Sequence, residues 1–209
     1  MPDYTVGEGE SIRSIAKDQG FFWQTIWDHG KNAQLKNERK DPNVLFEGDN
    51  VFIPELEKKY VDKPTEQTHE FIRKGEPAKF KLRLQTMDQP RKNEPYTLII
   101  DGKVIHGSTD GNGKLECPIP GNAKGGKLIL KGGKEEYAVK IGNLDPVDKP
   151  SGVRQRLNNL GFNCGASSTD EEIDAETADA IRQFQEKYKL QVTGKITDEF
   201  KSKLKQLHP

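Results

Sequence analysis

Ile173-Asp174-Ala175-Glu176-Thr177-Ala178-Asp179-Ala180-Ile181-Arg182-Gln183-Phe184-Gln185 is the stretch that decides how the end of the chain folds. Thr177, Ala180, Ile181, Phe184 and Tyr188 recur at steps of three and four, which places them on one face of a long helix. A Cys/Gly/Ser/Asp-rich loop precedes it. Before the loop, Val153, Leu157 and Leu160 mark another helix, with Ser151 read as its cap and Gly161 as its end. Beyond the long helix, Val192-Thr193-Gly194-Lys195-Ile196 reads as a turn, and Phe200, Leu204 and Leu207 mark a last helix. Residues 151–209 are thus expected to form a three-helix bundle of roughly sixty residues, near the lower size limit for independent folding.

Upstream, the stretch from Asp145-Pro146 to Pro150 reads as a linker over 146–150. In 70–145 the period changes from helix to strand: Phe80-Lys81-Leu82-Arg83-Leu84 and Ala138-Val139-Lys140-Ile141 alternate. Tyr96 to Ile100 is followed by Asp101-Gly102, a hairpin dipeptide that tolerates positive φ. Asp110-Gly111-Asn112-Gly113 is another turn. Short strands with glycine turns predict a small antiparallel β-sandwich or barrel. Polar residues over 57–69 read as a first linker. Residues 1–56 contain a strand (Tyr4-Thr5-Val6), a helix capped by Ser11 and stopped near Gly20, a second helical face (Trp23, Ile26, Trp27, Gly30), and a strand (Val51-Phe52-Ile53) stopped by Pro54. The expectation is a multidomain α+β chain opening with a βααβ module.

Composition agrees with several small modules. Hydrophobic residues make up 32% of 209 and charged residues another 32%, too polar a mix for one large core. The 33 basic and 33 acidic residues cancel, which leaves no excess positive field for a nucleic-acid backbone. The basic stretch Lys31 to Lys40 reads as a solvated helix face. Apolar runs such as Leu98-Ile99-Ile100 are too short to span a membrane. The opening Met-Pro-Asp-Tyr-Thr-Val lacks the basic and apolar regions of a classical signal peptide. The expectation is synthesis in the cytoplasm, followed by action at the cell envelope or periplasm, or within a secreted injection particle. Cys117 and Cys164 are expected to be reduced thiols, with a bridge between middle and last modules as the alternative. His29, His69, His106 and His208 show no metal-ligand spacing, so no metal and no cofactor is expected.

Two stretches resemble known families. Tyr4-Thr5-Val6-x-x-Gly9-Glu10-Ser11-Ile12-x-x-Ile15-Ala16 and Leu45-x-x-Gly48-Asp49-x-Val51-x-Ile53-Pro54 resemble the two ends of a LysM module, though a longer Trp/His-rich stretch, Phe22 to Arg39, replaces its usual middle. That resemblance implies a shallow groove for N-acetylglucosamine polymers, with Gly9, Glu10, Ser11 and Ile12 facing Asn43, Val44, Leu45 and Phe46. Backbone amides there would pair with acetamide groups, while apolar side chains receive the methyl and sugar face. Val153-x-x-Arg156-Leu157-x-x-Leu160-Gly161-Phe162, the long helix, and Leu190-x-Val192-Thr193-Gly194-Lys195-Ile196 resemble the three-helix peptidoglycan-binding family. Arg182, Gln183 and Gln185 beside Gly161, Phe162 and Asn163 would then line its groove. The order of the modules also resembles accessory proteins of contractile injection and phage-tail-like systems.

Catalytic signatures are missing from the sequence. No Gly-x-Ser-x-Gly elbow and no His-Glu-x-x-His motif occurs. The acidic runs Glu135-Glu136 and Asp170-Glu171-Glu172 read as solvated loops rather than a carboxylate pair facing across a cleft. Two functions of different class stay open. One is a non-catalytic peptidoglycan-targeting protein whose partners are glycan strands or stem peptides. The other is a structural or adaptor component of an injection spike, holding a spike or effector protein through Phe22, Trp23 and Trp27.

Overall fold

The computed structural model describes residues 4–57, 60–70, 78–165 and 172–208. Chain contacts divide it into two units, one of Met1–Asn43 with Glu47–Gly142 and one of Val44–Phe46 with Asn143–Pro209. Asp170 and Glu171 of the second acidic run lie outside the described residues, as do 58–59 of the expected first linker and 71–77 of the expected β domain.

In the first unit, β1 (Tyr4–Thr5) is followed by α1 (Ile12–Asp18), α2 (Trp23–Trp27), a 3-10 turn (Gly30–Asn32), α3 (Ala33–Arg39) and β2 (Asn50–Val51), which pairs antiparallel with β1. Ser11 caps α1 as expected, and reciprocally: its hydroxyl accepts from the Ser14 N–H at 3.2 Å, and its own N–H donates to Ser14 Oγ at 2.9 Å. The βααβ expectation misses α3, which buries only Leu35 and so carries no apolar period. The second helix also stops at Trp27, short of Gly30. The last strand is shorter than expected because a side chain claims Phe52. Asn32 Oδ1 accepts from the Phe52 N–H at 2.8 Å, and Asn32 Nδ2 donates to the Phe52 carbonyl at 2.9 Å.

Residues 60–70 carry neither helix nor strand, and Tyr60 and Val61 are 85% and 64% exposed. The β portion then runs through β3 (Ala78–Arg83), β4 (Gln85–Thr86), β5 (Gln89–Pro90), β6 (Pro95–Ile100), β7 (Lys103–Ser108), β8 (Lys114–Ile119), β9 (Gly125–Leu130) and β10 (Glu135–Lys140). A four-stranded antiparallel sheet has the order β10-β9-β6-β7, and β3 pairs with β8 in a separate ribbon. Alternate residues of both, including Leu98, Ile100, Leu115, Cys117, Leu128 and Leu130, share one apolar core. Both β7 and β10 are edges of their sheet, so the barrel alternative is corrected: the sheets do not close. Asp101 and Gly102 take positive φ (47° and 80°), the turn the dipeptide predicts between β6 and β7.

In the second unit, α4 (Pro150–Asn159), α5 (Ala175–Lys187) and α6 (Asp198–Leu207) surround one core of Val147, Val153, Leu157, Phe162, Cys164, Ala180, Ile181, Phe184, Phe200 and Leu204. Three of these form an aromatic centre, with Phe184 edge-on to Phe162 at 5.4 Å and to Phe200 at 5.0 Å. Ser151 is not the cap of α4. The helix starts after Lys149 at Pro150, a residue pre-set for the first helical position, and Ser151 Oγ is buried with no hydrogen-bond partner among the described residues. Nor does 146–150 behave as a free linker. Val147 is core, and a Cβ on Gly152 would lie 2.1 Å from the Pro146 carbonyl oxygen, so the segment is pressed onto α4.

These two stretches differ in what a protease must disrupt. Limited proteolysis of the native chain is expected to cut first within 60–70 and to spare 143–150. First cleavage at 143–150 would contradict the packing of Val147 and Gly152.

Candidate functional site

Each residue expected at the head groove has a defined local role. Glu10 turns back into its own loop, accepting from the Tyr4 hydroxyl at 2.8 and 2.9 Å and from the Gly7 N–H at 2.9 Å. Burial, then the hydrogen bond from its hydroxyl to Glu10, pushes the Tyr4 phenol up to about 12. Ile12 is fully buried, and its N–H donates to the Pro42 carbonyl at 2.9 Å. Ser11 is engaged as a cap. Gly9 takes a positive φ of 73°. Asn43 is exposed, its N–H and Nδ2 both donating to Asp41 Oδ1 at 2.7 and 2.9 Å. Val44 and Leu45 are buried, and Phe46 is half-buried with Lys149 Nζ 4.9 Å from its ring centre. Residues 44–46 group with the second unit, whereas Gly9 to Ile12 belong to the first. The side chains left open to solvent in this set are therefore few.

The aromatic cluster is also divided. Trp27 is core, Trp23 is half-buried with the Arg13 guanidinium 4.6 Å from its ring centre, and Phe22 is 52% exposed. These three residues do not form one continuous exposed patch.

In the helical unit the expected groove residues separate into two groups. Gln185 is 1% exposed and its amide is fully used. Its Nε2 donates to Thr193 Oγ1 and the Lys195 carbonyl, each at 3.1 Å, and its Oε1 accepts from the Thr193 and Gly194 N–H groups, each at 2.9 Å. Gln185 thus fastens the 193–195 turn to α5 and does not line a groove. Position 185 is one turn beyond Ile181, on the buried face, so the helical period already pointed inward. Phe162 is likewise core. Arg182, Gln183, Gly161 and Asn163 are exposed. Arg182 pairs with Asp179 and lies close over Gly194, while Asn163 Oδ1 accepts from the Gly165 N–H at 3.0 Å. Packing of Phe162 on Phe184 and Tyr188 sets the 161–163 turn beside the end of α5.

Two buried arginines were missed as structural elements. Arg156 donates to the carbonyls of Asp145 at 2.6 Å, Gly152 at 3.0 Å and His208 at 3.3 Å. Arg154 donates to Thr177 Oγ1 at 3.1 Å and to the Glu172 carbonyl. Both tie loops to α4, and a charged residue one position from an apolar one gave no signal for this.

Four carboxylates are held ionised by their surroundings. Glu94 is lowered by its hydrogen bonds to Arg91, Asp110 by the N–H groups of Lys114 and Asn112, Glu116 by Lys79, and Glu135 by Lys131 and then Arg91. Glu136 pairs with Lys127 at 3.1 Å, so Glu135-Glu136 is an ion-paired pair of side chains and not a proton-sharing dyad. Among the described residues no group of three or more His, Cys, Asp or Glu could hold a metal ion, and no helix is long and apolar enough to cross a membrane.

Both cysteines are buried free thiols. Burial pushes Cys117 up, and pushes Cys164 up from 9.0 to about 11. A raised thiol pKa stabilises the fold below the unfolded value, and that contribution is lost as pH rises through the folded value. The helical unit is therefore expected to lose stability between pH 9 and about 11, measured by far-UV circular dichroism in urea. A thiol reagent at neutral pH should react slowly with native protein and label two thiols on unfolding. Asn32→Ala, which unpairs the Phe52 backbone and the Ile26 carbonyl, should cost about 3 kcal/mol, read by tryptophan fluorescence because Trp23 and Trp27 both lie in the first unit.

Comparison with known proteins gives one family match. Residues 151–204 match the family described as "Putative peptidoglycan binding domain". No curated protein and no solved structure matches the chain. The match falls on the helical unit and supports peptidoglycan as the partner class of that module.

Proposed function

We propose that this is a non-catalytic protein that holds peptidoglycan at the cell envelope, using the helical module as its principal anchor and the N-terminal LysM-like segment as a second, weaker glycan contact. The family match over 151–204 carries the reading. The exposed Arg182, Gln183 and Asn163 are the side chains of the expected groove that remain open to solvent. In the head, the N–H groups of Glu10, Ser11 and Ile12 are already bonded within the unit, so the Gly9 backbone and the exposed Asn43 would supply the contacts. Shallow sites of this kind bind weakly; a millimolar interaction corresponds to about 4 kcal/mol. Two weak contacts on one chain gain avidity on a repeating polymer.

Ion pairing and hydrogen bonding support the non-catalytic part of the proposal. General-acid chemistry on a glycoside needs one carboxyl held protonated near neutral pH, and Glu94, Asp110, Glu116 and Glu135 are shifted the other way. The reading as an injection-spike adaptor draws less support, because Trp27 is committed to the core.

Sedimentation with purified insoluble sacculi tests the proposal. The intact protein should co-sediment at low salt and release no muropeptides detectable by mass spectrometry. Arg182→Ala with Gln183→Ala should lower retention severalfold while leaving the fold intact, since both side chains are exposed. Failure of the intact protein to sediment would overturn the wall-binding reading, and muropeptide release would overturn the non-catalytic one.

A further inference from the structure

Strand β10 ends the four-stranded sheet, with β9 as its one neighbour there. Its register sets Glu135, Tyr137 and Val139 opposite Leu130, Leu128 and Gly126. Leu128 and Leu130 are core residues, and residues opposite one another share a face. Glu135, Tyr137 and Val139 therefore lie on the core side, and Glu136, Ala138 and Lys140 on the outer side. The backbone alternates in the same two sets. Just past the strand, the Ile141 N–H donates to the Lys124 carbonyl at 2.9 Å, in the same register. A Cβ on Gly125 would meet the Val139 carbonyl oxygen at 2.4 Å. Residues 135, 137, 139 and 141 thus turn their N–H and C=O groups toward β9. Antiparallel alternation turns those of Glu136, Ala138 and Lys140 the other way, along the open edge.

Charged side chains on a sheet edge ordinarily block further pairing. Those of β10 favour one particular pairing, because Glu136 and Lys140 have opposite signs and stand two residues on either side of Ala138. An antiparallel copy centred on Ala138 sets each Glu136 opposite Lys140 of the second copy. Glu136 already holds Lys127 through Oε2 at 3.1 Å, and a carboxylate accepts at both oxygens, so Oε1 can take the second ammonium. The same register joins the three outward-turned residues in hydrogen-bonded pairs, about six backbone bonds in all. On the core side it sets Tyr137, 48% exposed, against Val139 of the second copy, an aromatic and β-branched pair that stabilises a ladder. A slip of one residue would set core-side residues against outer-side ones. A slip of two would set Glu136 or Lys140 against Ala138 and lose both ion pairs. The opposite edge, β7, has no such symmetry. There the Thr109 N–H donates to the Glu94 carbonyl at 3.0 Å, so Val104, His106 and Ser108 turn outward. Pairing about His106 would bring no opposite charges together.

We infer that β10 is a self-pairing edge through which two copies of this chain join antiparallel, Ala138 against Ala138, fusing two four-stranded sheets into one continuous sheet. The contact is isologous and closes on itself as a two-fold dimer. It stands apart from the wall-binding proposal, and it would give one particle two helical modules.

A seam of one strand pair is smaller than the roughly 1,200 Å² of stable interfaces, so the dimer forms reversibly, with half-association expected between about 10 μM and 1 mM. Sedimentation-equilibrium ultracentrifugation of the full chain at low salt tests it. The average mass should climb from monomer toward dimer across that range. Lys140→Glu sets like charges opposite each other at both ends of the seam and should weaken association about tenfold or more. Glu136→Lys should do the same, and the two substitutions together on one chain should restore the dimer. Ala138→Pro removes an outward-turned N–H while sparing the ladder to β9, and should leave a monomer. All four positions of charge in the seam are exposed, so far-UV circular dichroism should match the unaltered chain in the charge variants. A monomer throughout the range overturns the proposal, as does a dimer that Lys140→Glu and Ala138→Pro leave unchanged. Loss of the dimer in both single charge variants without recovery in the double one overturns the register centred on Ala138. Sacculi play no part in this measurement, so its failure leaves the wall-binding proposal standing.

Discussion

The buried amide of Gln185 is the interaction on which the helical unit depends. A chain with so few apolar residues cannot cover its turns with a large core, so their backbone groups need partners supplied from elsewhere. Four hydrogen bonds from one side chain meet that need at 193–195, where the chain reverses between α5 and α6. With the turn fixed, Phe200 and Leu204 reach Phe184 and close the core. Arg154 and Arg156 do the same for the loops that flank α4. Asn32 repeats the device in the first unit, satisfying both backbone groups of Phe52 where the two-residue β1–β2 ladder has run out. Buried polar side chains of this sort are costly unless every group is paired, which makes them poor candidates for ligand contacts.

That same economy determines what could be read from the sequence. Apolar periodicity located α1, α5 and α6 and the alternating strands, because in each case burial of regularly spaced residues is what forms the element. Glycine-containing turns were legible for the same reason: Asp101-Gly102 takes a backbone that few other pairs tolerate. Elements held by polar side chains left no such trace. Helix α3, with Leu35 as its one buried residue, has no periodic signature. Capping preference points to Ser151 as the start of α4, whereas Pro150 sets it through its fixed φ. Val147 looked like linker because its neighbours Pro146, Asp148 and Lys149 are turn-forming or charged, yet it is inserted in the core.

Site residues were less legible than the fold, and for a related reason. Polarity marks a residue as available for a ligand only when it is also exposed, and exposure depends on which helix face it occupies. Gln185 and Gln183 are the same residue type two positions apart, but one is fully engaged inside and the other faces solvent. Ser11 and Glu10 likewise spend their polar groups on the local cap and loop. Applying the helical period to polar positions as strictly as to apolar ones would have separated these cases in advance.

Among the described residues of the helical unit, the side chains left over for binding are exposed and largely charged. A polymeric wall suits this arrangement. Each exposed ion pair or amide contact contributes little by itself, but a repeating ligand presents the same groups many times within reach of one chain. Tight single-site recognition would require a buried pocket with satisfied polar walls, and the buried Gln185 and Arg156 are already committed to holding turns. Stability and affinity therefore draw on separate sets of side chains in the helical unit: the inward-facing Gln185, Arg154 and Arg156 maintain the framework, while the outward faces of α5 and α6 are free to vary in charge without disturbing it.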